Sequence, residues 1–266
     1  MNLPDRAWVE LALICYLVGS AYSVYSLVAD RFLTPRVTFW AICAGFLFTN
    51  VFLFERGHAI GRCPITNRYE VLVFMAWSMV LIYLVIGSSY RLSLMGAFTA
   101  PAASILLVFA VTSAPGELVA RKIRVNPWLE AHTSFSMVAC GAFALACIAG
   151  LMFLVQEREL KTGRPSSIFY RFPPITELSI AISRLLWLGF ILFTVGIGAG
   201  FLIGGRINWI QAVWSILVWG VYAGIIVARI RHAVATKWIA ALSIVAFSLL
   251  LSTLWGIRFI SDRPPL

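Results

Sequence analysis

Histidines 58, 132 and 232 are the only imidazoles in this 266-residue chain, and the chemistry open to it narrows around the second of them. His132 follows Asn126-Pro127, which reads as an N-cap and a first-turn proline, so it belongs to the second turn of a helix. Trp128, Ser136 and Cys140 stand at i−4, i+4 and i+8, which sets an aromatic above the imidazole and small polarizable groups below it on one slowly drifting face. Such an imidazole can take an axial position on haem iron, which favours an apolar, aromatic wall, or it can bond a neighbouring helix. The spacing admits both readings. His58 lies in the polar stretch from Glu55 to Glu70, as a second ligand or as a loop residue, and Asn67 and Glu70 have the spacing of a capping box that begins the next helix.

Other chemistry-bearing patterns are sparse. Gly196, Gly200 and Gly204 stand four apart, a tandem small-residue face for close helix contact, and Trp209, Trp214 and Trp219 follow them. Trp209 has the position of an interfacial belt tryptophan, whereas Trp214 and Trp219 lie deeper, as porphyrin wall or as ordinary packing aromatics. The five cysteines form no CxxC pair and no CxxCH haem-attachment sequence. The chain lacks an HExxH zinc motif, a phosphate loop and paired carboxylates inside an apolar run, so hydrolase and transferase chemistry is not expected. Mid-span charges are missing as well, which argues against a proton-coupled transporter.

The elements that must position these residues are set by composition. Apolar residues make up 61% of the chain and charged residues 12%, with a mean hydropathy of +0.91; soluble domains carry about 25% charged residues. Eight apolar stretches, at roughly 8–29, 37–54, 70–88, 94–114, 131–155, 186–205, 209–228 and 236–256, approach the length a bilayer core requires. Backbone groups cannot go unpaired in hydrocarbon, and alternating barrel-type segments are lacking, so the expected fold class is all-α: a single integral membrane domain, 1–266, built as a polytopic bundle of about eight transmembrane helices. The first stretch reads as a retained anchor, and Thr176 as the cap of a helix that runs through Arg184 into the sixth span. The net charge of +10 fits headgroup contact by basic loops; no basic stretch has the pattern of a nucleic-acid surface, so lipid is an expected partner and nucleic acid is not. Lys and Arg divide almost evenly between the two sets of loops, which leaves orientation unset by charge.

Three segments in order resemble the core of the cytochrome c assembly proteins, the haem-handling group that includes the CcsA and HemX types. They are Pro64-Ile65-Thr66-Asn67-Arg68-Tyr69-Glu70 with the span after it, Trp128-Leu129-Glu130-Ala131-His132, and Thr176-Glu177-Leu178 leading through Arg184 to Leu188-Gly189-Phe190 and a glycine-rich span. The resemblance covers about residues 55–228. It implies a protein of the cytoplasmic (inner) membrane that binds or conveys haem at the outer face in support of cytochrome c maturation, with other assembly or haem-pathway proteins as partners. Loops 2–3, 4–5 and 6–7 would then lie outside together with both termini, which brings His58, His132 and Trp209 to one face.

The chain also departs from that pattern. The tryptophan-rich loop of synthase-type members is shortened here to Gly204-Gly205-Arg206-Ile207-Asn208-Trp209 without an acid, a histidine expected late in the seventh span is replaced near Val227, and another expected after the last span is absent. The resemblance therefore implies a non-enzymatic, HemX-like accessory role. Of the candidate ligands it carries over His132 as iron ligand, with His58 as a matching histidine. Beside them, Trp128, Trp209 and Trp214 stand as candidate haem-site aromatics or as belt and packing residues, and Arg121, Lys122 and Arg124 can pair with propionates or contact lipid headgroups. A structural or regulatory membrane subunit that no longer holds haem is the alternative.

Overall fold

The computed structural model describes residues 3–28, 36–87, 93–113, 126–162, 173–204 and 209–261. Its regular structure is helical: α1 (Leu3–Val28), α2 (Arg36–Ile60), α3 (Arg68–Ile82), α4 (Ser93–Thr112), α5 (Pro127–Thr162), α6 (Ile175–Phe201), α7 (Trp209–Ile230) and α8 (Thr236–Ser261). A turn of π-helix, Tyr83–Gly87, continues α3. Seven helices are long and apolar enough to cross a bilayer, and Thr236–Ser252 of α8 is a shorter apolar helix. This is an all-α, multi-pass membrane protein. Trp40, Phe54, Val213 and Val245 face outward, as side chains do when the surrounding solvent is acyl chain.

One cluster of buried side chains runs from Val9 of α1 to Leu250 of α8. Helices α3 and α5 lie deepest in it, and α5 touches α3, α6 and α8. Small residues make those approaches possible. A methyl group on Gly141 would lie 2.8 Å from the Met79 backbone nitrogen in α3, one on Gly150 would lie 3.0 Å from the Ala240 carbonyl oxygen in α8, and one on Gly189 of α6 would lie 2.6 Å from the Phe143 ring. Phe143 in turn stacks on Tyr222 of α7, with ring centroids 3.6 Å apart.

Three boundaries differ from the hydropathy reading. The second span was expected to end at 54, yet α2 continues to Ile60, so His58 is in a helical last turn rather than a loop. Helix α5 starts at Pro127, as the Asn126-Pro127 cap predicts, and runs on to Thr162, past the expected end at 155. Hydropathy falls once charged residues appear, but the i→i−4 bonds persist until a cap or turn ends them. At α6 the N-cap is Pro174, not Thr176: the Pro173-Pro174 pair holds the chain extended, and the Leu178 N–H donates to the Pro174 carbonyl oxygen at 3.1 Å. Pro101 sits inside a continuous α4.

A candidate haem-ligand site at one end of the bundle

The N-terminus of α5 is fixed by Asn126. Its Oδ1 accepts the Trp128 N–H at 3.1 Å, and its Nδ2 donates to the Ile203 carbonyl oxygen at 2.8 Å, which ties the start of α5 to the end of α6. Pro127 opens the helix, where its missing N–H costs nothing. His132 then stands half-buried one turn in, against α6.

Its Nδ1 lies 2.7 Å from the Gly196 carbonyl oxygen. A carbonyl oxygen can only accept, so this contact places the ring proton on Nδ1 and leaves the Nε2 lone pair uncommitted in the neutral ring. Gly200, one turn farther along α6, lies against the same imidazole: a methyl group there would be 2.8 Å from Nδ1 and 3.2 Å from Cε1. A methyl group on Gly196 would be 2.7 Å from Ser136 Oγ, and that buried hydroxyl has no hydrogen-bond partner among the described residues. Gly196 and Gly200 are thus a seat for His132 and Ser136. Gly204, the third glycine of the spacing, takes φ +75° beyond the end of α6, and a methyl group there would meet nothing within 4 Å, so the tandem face stops at two.

The loop between α2 and α3 is clamped onto the same end. Cys63 N–H donates to Glu130 Oε1 at 3.1 Å, and the Cys63 sulfur lies 3.4 Å from Ser134 Oγ. Behind the loop, Arg56 Nε meets Glu70 Oε1 at 2.7 Å in an ion pair that is 2% and 0% exposed. Glu70 Oε2 also accepts the Thr66 N–H (2.8 Å) and hydroxyl (2.6 Å), while Asn67 Oδ1 caps the Glu70 N–H at 2.8 Å. The carboxylate reaches past its own cap to Thr66 and back to α2, so it locks the loop as well as starting α3. Burial pushes the Cys63 thiol above the usual range, with a smaller opposing effect from the Ser134 hydroxyl. Trp8 Nε1 of α1 donates to Glu55 Oε2 of α2 at 2.9 Å, which adds the start of the chain to this end.

The other sequence candidates are arranged differently. His58 shares the end of the bundle but is exposed and stacks on Phe54, with centroids 6.4 Å apart and planes within 9°. Trp128, Trp209 and Trp214 are exposed, and no described ring contact or hydrogen bond joins them to His132. Cys140, expected on the His132 face, turns instead to α3, with its sulfur 3.8 Å from Met75 Sδ, because eight residues on a helix drift around the axis. Arg121, Lys122 and Arg124 lie outside the described residues. His232, at φ 49°, occupies the α7–α8 turn at the opposite end. No group of three or more His, Cys, Asp or Glu that could hold a metal occurs among the described residues. Arg56, Glu130 and Ser134 were missed from sequence; an Arg and a Glu on either side of the turn between two apolar runs was the available signal for the buried pair.

A family model described as Cytochrome C assembly protein matches residues 65–263. Among curated relatives, the cytochrome c biogenesis protein CcsA of Porphyra purpurea is 27% identical over 253 residues, covering 78% of this chain and 79% of the relative. The proteins of the same description from Microcystis aeruginosa and a Synechococcus strain are 26% and 24% identical, over 84% and 87% of this chain and 82% and 87% of their own lengths.

Proposed function

Because this chain belongs to the cytochrome c assembly protein family, we propose that it is a haem-handling membrane factor in cytochrome c biogenesis, with His132 as the iron ligand and a HemX-like accessory role. The observation that carries this reading is the His132 Nδ1–Gly196 oxygen contact. An axial imidazole needs one nitrogen free for iron and the other committed to an acceptor that fixes ring and tautomer. His132 has both, and Gly200 gives the ring room that a side chain would remove. The uncommitted Ser136 hydroxyl beside this seat is a further polar group available to a ligand.

Haem is cargo in this account. One protein imidazole supplies the iron ligand, since His58 is turned onto Phe54; the other axial position is left to a recipient or a partner assembly protein. Trp128, Trp209 and Trp214 offer aromatic surface at or near the same end of the bundle. We assign that end to the outer face of the inner membrane. With eight spans both termini share it, in keeping with the Trp8–Glu55 bond beside His58.

Restoring the chain to a strain that lacks it tests the role. Covalent haem on c-type cytochromes should recover with the wild type and stay low with His132→Ala. Equal recovery by both would favour the alternative, a structural or regulatory subunit that no longer holds haem.

A further inference from the structure

At the end of the bundle opposite His132, a cavity of about 420 Å³ opens between α5, α6 and α8, lined by Phe153, Ile175, Thr176, Ser179, Ile180 and Thr236. Arg229, in the last turn of α7, reaches across to its wall. Its Nη2 donates to Ser179 Oγ at 2.7 Å and its Nη1 to Thr236 Oγ1 at 2.9 Å. Both acceptors are neutral. No ion pair joins Arg229 to a carboxylate among the described residues.

An arginine near a helix end ordinarily snorkels along its own helix toward water. Arg229 instead is pinned to two other helices at the mouth of an apolar groove, half-buried, where a cation without a counter-ion is costly. A guanidinium has five N–H donors in a planar fork that matches phosphate oxygens, and two of them are used here. We propose that this groove binds an anionic phospholipid, its phosphate on Arg229 and an acyl chain along Phe153, Ile175 and Ile180. The apolar surface beside the fork, with Ile180 exposed and Ile175 half-buried, favours a headgroup that brings its own acyl chain over a soluble anion, which would use the guanidinium alone. The proposal is independent of haem, because it involves the other end of the bundle and none of the residues around His132.

Native mass spectrometry of the full chain, delipidated in detergent and then given phosphatidylglycerol or phosphatidylcholine, tests it. Wild type should retain one phosphatidylglycerol in preference to phosphatidylcholine, and Arg229→Gln should lose that retention by about tenfold, while Arg231→Gln, on the exposed turn after α7, should behave as wild type. The double variant Ser179→Ala/Thr236→Ala keeps the charge but releases its fork, and should weaken retention by a smaller factor; it decides the matter alone if Arg229→Gln does not fold. Retention unchanged in Arg229→Gln, equal retention of phosphatidylcholine, or displacement of the lipid by millimolar inorganic phosphate would each overturn the proposal.

Discussion

His132 on α5 and Gly196 on α6 are joined by a side-chain to main-chain contact of 2.7 Å that spans the interface between the two helices. It gives one imidazole a fixed tautomer and a fixed plane, and four residues on, Gly200 leaves the space the ring occupies.

That space predicts a steric phenotype. Gly200→Ala would set a methyl group 2.8 Å from Nδ1, and relieving such overpacking costs about 1–3 kcal/mol. Haem uptake should fall while helicity by circular dichroism stays unchanged. Gly198→Ala, which meets nothing within 4 Å, should be silent in both measurements.

The Arg56–Glu70 pair predicts a stability phenotype of a different kind. Removing one partner leaves a buried charge without its opposite charge, which costs up to about 3–5 kcal/mol, so Arg56→Met and Glu70→Leu should each lower the unfolding midpoint in detergent. The double variant removes both charges and should recover much of the loss. Additive damage in the double variant would mean that the two side chains stabilise the loop separately.

Cys63 predicts a pH dependence. Burial raises its pKa, so the neutral thiol persists above the range near 8.5 where a free cysteine ionises, and the reactive thiolate appears only at still higher pH. Maleimide labelling of the Cys63 peptide, followed by mass spectrometry, should be slower than for a free thiol at the same pH and should rise only at higher pH than the free thiol's. Ser134→Ala removes the hydroxyl that lowers the pKa, and should move the climb to higher pH.

Topology is open to a direct check. A phosphatase reporter that is active only outside the cytoplasm should be active when fused after Leu266 and inactive when inserted at His232, in the α7–α8 turn. The reverse pattern would put the His132 end in the cytoplasm and contradict its assignment to the outer face.

Much of this was legible in the residues themselves. Long apolar runs identified the membrane class and the helix count, because lipid leaves the backbone no other solution, and Asn126-Pro127 announced the start of α5 through cap chemistry that is local in sequence. What could not be read was which residues meet across helices. Gly196 and Gly200 look like any small-residue packing face until the ring resting on them is seen. Arg56 and Glu70 look like two loop charges until the turn between them folds back and buries both. His58 appeared to lie in a loop because the charges around it end the hydropathy signal a full turn before they end the helix.

The most direct test of the central claim is the visible absorbance of the detergent-purified protein titrated with haem, wild type beside His132→Ala. The account predicts a saturable Soret band for the wild type and a weakened, shifted one for the variant, restored in part by added imidazole. Identical spectra for the two proteins, or no uptake by either, would contradict it.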